Sequence, residues 1–180
     1  MRIPTKIAGL ALAVLLLSGC LPQQPTATDP PEASSAPVFD SEEEALAAAT
    51  AAYTAYSAVS DQIGTDGGEK PDRLRAVVTS AWFEKDLAQF TEFSKTGRHL
   101  VGQTTFDSIA VQSFDEQLLA VYLCIDVSGI RVLDSSGTDV TPLDRVARVP
   151  LEVGFDLVEA PGSVLLASSQ VWDGDSFCDG

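Results

Sequence analysis

The sequence predicts an α+β domain in which three N-terminal helices pack on one face of a curved antiparallel sheet of about four strands. Two observations support this class. Apolar residues recur at helical spacing between residues 41 and 97, and beyond His99 they alternate with polar residues as in half-buried strands. Helices first and a strand meander afterwards are the order of an α+β layer.

Residues 1–19 have the order of a secretory signal peptide. A short basic segment and an apolar run over residues 7–17 precede the small residues Ser18 and Gly19. The apolar run is much shorter than the roughly 20 residues needed to cross a bilayer. We therefore expect a cleaved signal rather than a membrane-spanning helix.

The four residues Leu17, Ser18, Gly19 and Cys20 resemble the bacterial lipobox, whose cysteine is diacylated and becomes the new N-terminus. The resemblance implies cleavage before Cys20 and lipidation of its sulfur. Two or three acyl chains hold a protein durably in a bilayer, whereas one holds it only marginally. The expected location is the extracytoplasmic face of the cell membrane, with the lipid bilayer as partner through acylated Cys20.

Residues 20–39 are expected to form a tether behind this anchor. The segment is rich in proline, threonine and serine and has almost no large apolar side chain. Such a composition cannot bury surface, and proline stiffens it toward extended conformations. The folded domain is therefore predicted over residues 40–180.

The chain is strongly acidic, with a formal charge of -15 over 180 residues. Removal of residues 1–19 leaves nine basic and 26 acidic residues, a formal charge of -17. A body of this charge is repelled by phosphate polyanions and anionic head groups. Nucleic acid is therefore excluded as an expected partner.

The first predicted helix begins at a capping box formed by Ser41 and Glu44. Its apolar face consists of Leu46, Ala49, Tyr53, Tyr56 and Ile63, and the glycine-rich segment 64–68 ends it.

Two shorter helices are predicted to follow. Pro71 opens the second, which is expected to continue through Val78. Ser80 is expected to cap the third, whose apolar face is Phe83, Leu87 and Phe90, flanked by Trp82 and Phe93, and which Gly97 ends.

Four strands are predicted after His99. A weak strand covers residues 101–111, and clear alternation marks strands over residues 119–127 and 149–157. A last strand covers residues 163–172. Turn-like sequences around residues 114–116, 135–137 and 160–162 separate alternating segments.

Cys124 and Cys178 are the two cysteines that remain once Cys20 is assigned to lipid. An oxidising extracytoplasmic environment favours a disulfide between them. A redox or metal-binding pair lacks any CxxC spacing or neighbouring histidine, and free or intermolecular thiols are the remaining alternatives. A bridge would fix the C-terminal tail to the face of the sheet opposite Leu123.

The order of three helices and an antiparallel sheet resembles the nuclear transport factor 2-like superfamily, a cone-shaped fold shared by SnoaL-like and ketosteroid-isomerase-like proteins. More narrowly, residues 41–178 are similar to actinobacterial lipoproteins of this superfamily. The segments that carry this similarity are 124–128, 133–137, 145–153, 171–172 and 177–178.

The resemblance implies a pocket between helices and sheet. Its expected lining is Tyr53, Tyr56, Phe83, Phe90 and His99. Isomerases of this type use a carboxylate base with tyrosine or protonated aspartate donors. The acids considered for such a base are Asp107 and Asp126, but the alternation of its strand sends Asp126 off the core face. No complete catalytic set is therefore predicted, and ordinary core packing is the favoured interpretation of the two tyrosines.

The expected function is that of a surface lipoprotein with a non-catalytic domain that binds a small apolar ligand or an envelope protein. Neither a cofactor nor a metal is expected, and the outer sheet face is a surface for a protein partner or a homodimer. Two alternatives stay open. One is a small isomerase- or hydratase-type enzyme acting on a hydrophobic substrate, and the other is a structural spacer of the envelope.

Overall fold

A computed structural model describes residues 38–158 and 163–178. The predictions for the signal peptide, for Cys20, for most of the tether and for the turn at residues 160–162 fall outside these residues. The elements in chain order are α1 (Glu42–Thr65), a 3-10 helix (Pro71–Ala76), α2 (Ser80–Ser94), β1 (His99–Val101), β2 (Thr105–Phe114), β3 (Leu118–Asp126), β4 (Arg131–Leu133), β5 (Arg148–Val158) and β6 (Ser163–Val171).

The main sheet has four antiparallel strands in the order β2-β3-β5-β6, and β1 pairs with β4 in a separate two-stranded sheet. The predicted α+β class and the curved antiparallel sheet are confirmed. The strand predicted over residues 101–111 is wrong in its extent, because the chain turns at Gly102 with a φ of 110°. A Cβ at Gly102 would collide with the carbonyl of Gly129, so this close crossing separates β1 from β2.

Helix α1 begins where the capping residues predict. The Ser41 hydroxyl accepts a hydrogen bond from the Glu44 backbone N–H at 3.2 Å. The Glu44 carboxylate accepts from the N–H of Asp40 at 2.9 Å rather than from that of Ser41. The reciprocal bond of the capping box is thus displaced by one residue.

Helix α2 is capped by Thr79, so the prediction of Ser80 as cap is wrong by one residue. The Thr79 hydroxyl accepts from the backbone N–H of Trp82 at 3.3 Å. Thr79 is extended because its own N–H donates to the carbonyl of Leu166 in β6 at 2.9 Å. The sheet therefore determines where the helix starts.

The same contact with β6 shortens the second predicted helix, which is a 3-10 helix ending at Ala76 instead of Val78. The Leu166 N–H donates to the carbonyl of Val77 at 3.1 Å, and Val78 forms a parallel bridge with Leu166. Backbone groups that bond to the sheet are not available to continue a helix.

One face of the sheet and the apolar faces of the helices form the core. Its fully buried large side chains include Tyr53, Ile63, Leu74, Phe83, Leu119, Val121, Leu123, Val153, Phe155 and Leu166. On the first helix Ala49, Tyr53 and Ile63 are buried as predicted, whereas Leu46 and Tyr56 are only partly buried. The strand residues at alternating positions confirm the predicted parity.

The disulfide between Cys124 and Cys178 is present, as the sequence predicts. It fixes the C-terminal tail across the sheet, where the ring of Tyr122 packs edge-on against Trp172 and Phe177 at centroid distances of 4.9 and 5.8 Å. Arg148 donates to the carbonyl of Cys178 at 3.3 Å and completes this attachment.

Within the described residues, none of the helices is both long enough and apolar enough to pass through a bilayer.

Candidate ligand-binding cavity

The five residues predicted to line one pocket are distributed over different places. Tyr56 and Phe90 line a cavity between the helices, and Tyr53 and Tyr56 line a second cavity next to the sheet. Phe83 is wholly buried in the core, with the guanidinium of Arg75 over its ring at 3.6 Å. His99 borders a polar surface depression on the other side of the α1 terminus. None of the cavities described here is lined by all five residues.

The cavity between the helices has a volume of about 280 Å³. Helix α1 contributes Tyr56 and Ser60, β1 contributes Leu100, and α2 contributes Asp86, Gln89, Phe90 and Phe93. Residues three, four and seven positions apart share a helix face, which explains why these α2 side chains converge. The cavity therefore combines apolar walls with a few polar groups.

Close packing at the end of α1 brings Leu100 to this cavity. Gly64 is buried, and a Cβ in its place would lie 2.5 Å from the Cδ1 atom of Leu100. The following turn is equally tight, because Gly68 has a φ of 88° and a Cβ there would lie 2.6 Å from the Phe90 carbonyl. These glycines let β1 and α2 approach the helix terminus.

Asp86 is the buried charged side chain of the described residues, with 5% of its surface exposed. The hydroxyl of Tyr56 donates to Asp86 Oδ2 at 3.2 Å, across the two helices. The ammonium of neighbouring Lys85 lies over the Trp82 ring, 4.0 Å from its centroid, and forms no salt bridge with Asp86. The Asp86 carboxylate therefore accepts a hydrogen bond from a neutral donor and forms no salt bridge within the described residues.

Burial raises the pKa of the Asp86 carboxyl, and the hydrogen bond from Tyr56 together with nearby Trp82 and Lys85 opposes only part of that rise. Burial, with the charge of Asp86 as a second cause, raises the pKa of Tyr56 far above its usual value. Tyr56 is therefore a neutral donor at physiological pH. The buried indole N–H of Trp82 lies beside this pair and completes no hydrogen bond within the described residues.

Asp86 is a residue that the sequence interpretation missed. The signal was present, because Asp86 follows Phe83 by three residues and precedes Phe90 by four. An acid at that spacing lies on the apolar face of an amphipathic helix. A carboxylate placed there must be buried or reach a cavity, and here it does both.

The second cavity has a volume of about 150 Å³ and shares Tyr56 and Ser60 with the first. It also contains Asp61, whose carboxylate accepts hydrogen bonds from the backbone N–H and the hydroxyl of Thr104, both at 2.7 Å. These bonds tie α1 to the segment that leads into β2. Asp61 therefore has a structural role that occupies both of its oxygens.

Asp107 and Asp126, considered above as bases, lie on the exposed side of the sheet with Arg148. Both Asp107 oxygens accept from the guanidinium at 2.9 Å, and Asp126 accepts at 3.4 Å. Arg148 holds the pKa of Asp107 below its usual value. Hydrogen bonds from Ser128, with Arg148 as a further cause, do the same for the pKa of Asp126. Strongly acidic, exposed and paired carboxylates are poor general bases.

His99 lies apart from these groups. The depression that it borders has a volume of about 490 Å³ and is surrounded by charged side chains of both signs, among them Asp66, Lys70 and Arg98. Asp66 is already engaged by Arg73 at 2.8 Å. No three histidine, cysteine, aspartate or glutamate side chains in the described ranges are grouped closely enough to hold a metal ion.

Comparison with solved structures identifies a likeness to the crystal structure of the intermembrane space region of the chloroplast protein ARC6. The TM-score is 0.50 at 12% sequence identity, over 70% of this chain and 95% of that chain. At this identity the likeness concerns the fold alone. No family model and no curated protein matches the chain.

Proposed function

We propose that this chain is a lipid-anchored surface protein whose domain binds a small, largely apolar ligand between α1 and α2 without catalysing a reaction. The observation that carries the proposal is Asp86, a buried carboxylate in the wall of a cavity whose apolar lining is Phe90, Phe93 and Leu100. Small-molecule sites are typically apolar with a few placed polar groups. A buried charge without a cationic partner costs stability and is not needed for packing alone.

The anchoring part of the proposal rests on the Leu17-Ser18-Gly19-Cys20 motif, which resembles a lipobox. The disulfide between Cys124 and Cys178 agrees with an oxidising compartment. Substitution Cys20→Ala is expected to release the protein from the membrane fraction or leave it unprocessed. Unchanged retention in the membrane after this substitution would overturn lipid anchoring and would leave the binding proposal untouched.

We also propose that the domain is a nuclear transport factor 2-like cone. Two helices and a 3-10 helix precede a curved antiparallel sheet, and their apolar faces meet one face of that sheet. The ligand cavity proposed here lies at the edge of this arrangement, between α1, α2 and β1.

Binding is favoured over catalysis because the phenolic donor in the cavity wall, Tyr56, is already engaged by Asp86. The Tyr56 hydroxyl donates a hydrogen bond to Asp86 and is therefore not free to stabilise a developing anion. The second candidate is an isomerase- or hydratase-type enzyme. The raised pKa of Asp86 favours this candidate, because many general bases have a raised pKa. In that case Asp86 would act as the base.

The test uses the full chain extracted from its native membrane and examined by native mass spectrometry. The wild type is expected to carry a small organic molecule, and Ser60→Trp is expected to lose it because the new ring fills the cavity wall. Ala47→Trp, on an exposed position of the same helix, is the matched control and should retain the molecule. Equal loading of all three proteins would place the ligand outside this cavity, and no loading of the wild type would contradict ligand binding and favour a spacer.

A further inference from the structure

The polar group of the proposed ligand can be inferred from the interaction partners that the buried Asp86 carboxylate lacks. Of its two oxygens, Oδ2 accepts from Tyr56, and no donor within the described residues bonds to Oδ1. A buried carboxylate commonly has a cationic partner or several hydrogen bonds, because one neutral donor does not replace its lost hydration. The nearby indole N–H of Trp82 is a further neutral donor, so what the site lacks is a positive charge.

The protein does not supply that charge from its neighbouring elements. Tyr56 faces Asp86 from α1 as a neutral hydroxyl. On α2, the Lys85 ammonium is turned onto the Trp82 ring, where a cation is attracted by the aromatic face. The remaining lining groups are the uncharged Ser60 and Gln89 and the apolar side chains.

The walls of the cavity are suited to a cation with an apolar body. Phe90 and Phe93 present aromatic surface near the carboxylate, and Leu100 adds aliphatic surface. Aromatic rings attract ammonium groups most strongly where water is excluded. The acidic chain, with a formal charge of -15, also raises the local concentration of cations and lowers that of anions.

We infer that the ligand is a small organic amine, whose ammonium group donates to Asp86 while its apolar part packs on Phe90, Phe93 and Leu100. This inference rests on the proposed binding function and specifies its chemistry. Binding is a simple ion pair with hydrogen bonds, in which no covalent bond forms or breaks. A cavity of about 280 Å³ limits the occupant to the size of a compact aromatic or alicyclic amine.

The test compares two probes of matched shape, 2-phenylethylamine, which is protonated at neutral pH, and neutral 2-phenylethanol. Their affinities for the detergent-solubilised full chain are measured by isothermal titration calorimetry. The amine is expected to bind at least about tenfold more tightly, as a charge-assisted hydrogen bond in a buried site requires. This comparison needs no variant and is unaffected by any folding defect.

Two variants test whether the preference for the amine over the alcohol arises from Asp86. Asp86→Asn keeps the shape of the side chain and is expected to remove the preference for the amine. Asp144→Asn removes the same charge from an exposed position and should leave the preference unchanged.

Equal affinity of the two probes for the wild type would overturn the amine and leave the apolar site in place. A preference that persists in Asp86→Asn would overturn the assignment to Asp86. Binding of neither probe would contradict both the amine and the proposed cavity.

Discussion

The hydroxyl of Tyr56 on α1 lies 3.2 Å from the Asp86 carboxylate on α2, and this bond joins the two helices beside an apolar cavity. The two residues are 30 positions apart in the chain. Their meeting requires the tight turn at Gly68 and the 3-10 helix that follows it. The pair is the polar centre of the proposed site.

Asp86→Asn is expected to stabilise the ligand-free protein at neutral pH by about 1 kcal/mol, because it removes a buried charge that no cation compensates. The pKa of Asp86 in the folded state is raised above the usual 3.8. Ionisation therefore costs stability as pH rises through that raised pKa, and below the unfolded-state value it costs nothing. Urea unfolding at a series of pH values measures the difference.

The advantage of Asp86→Asn should vanish in acid and be fully present at neutral pH, whereas Asp144→Asn should show no such dependence. A variant that is less stable than the wild type at neutral pH would mean that the charge is favourable in the ligand-free protein. That result would contradict the inference that the Asp86 carboxylate lacks a compensating cation in the ligand-free protein.

Tyr56→Phe is expected to destabilise the protein by about 1–3 kcal/mol, since it leaves a buried carboxylate without its donor. In the Asp86→Leu background the same substitution should cost much less, because no buried acceptor is left unpaired. A double-mutant cycle measured by chemical denaturation gives the coupling of the pair. Additive effects would show that the hydrogen bond contributes nothing to stability.

Reduction of the Cys124–Cys178 bridge is expected to lower the free energy of unfolding by about 4 kcal/mol, the chain-entropy value for a loop of this length. The paired variant Cys124→Ser with Cys178→Ser should behave like the reduced wild type. Cys20→Ser is the control, since its response to reductant should match that of the wild type. Thermal unfolding with and without dithiothreitol makes the comparison, and an unchanged midpoint would show that the bridge adds no stability.

Arg148→Gln is expected to lower the stability of the protein toward urea near neutral pH, and the part of this effect that comes from the carboxylates should disappear in strong acid. Arg148 lowers the pKa of Asp107 and contributes to the lowered pKa of Asp126. Stability from such carboxylates is present above the unfolded-state pKa and is lost as pH falls through the folded-state value. Asp107 is exposed and Asp126 is partly exposed, so the effect should be small and should weaken in high salt.

The measurement for Arg148→Gln is the unfolding midpoint in urea between neutral pH and pH 2, at low and high salt. Lys95→Gln removes a charge from a fully local pair with Glu92 and serves as the control. A difference between wild type and Arg148→Gln that persists undiminished at the acid limit would show that the lost hydrogen bond to the Cys178 carbonyl, and not lost charge pairing, accounts for it.

Local sequence determined those parts of the fold that depend on a single element. Ser41 marked the start of α1, and the alternation through Leu119, Val121 and Leu123 gave the buried face of β3 correctly. The cysteine pair could be predicted because the lipobox interpretation left two thiols in an oxidising compartment. These inferences need only spacing and residue chemistry.

The features that escaped prediction depend on contacts between distant segments. Thr79 replaces Ser80 as the cap of α2 because Leu166, far along the chain, holds its N–H. The pairing of β1 with β4 involves three residues on each strand, too few for a periodic signal. Asp86 lies on the apolar face of α2, which is predicted from its apolar residues alone. Its hydrogen-bond partner, Tyr56, lies on α1.

The central claim, that the cavity at Asp86 binds a ligand, is tested most directly by NMR of the ¹⁵N-labelled full chain during titration with 2-phenylethylamine. Saturable shifts are expected for the backbone amides of Ser60, Gln89 and Leu100, which surround the cavity on three elements. Gln170, on the exposed side of β6, should not move. Shifts confined to the depression around His99, or no saturable shift at all, would contradict the account.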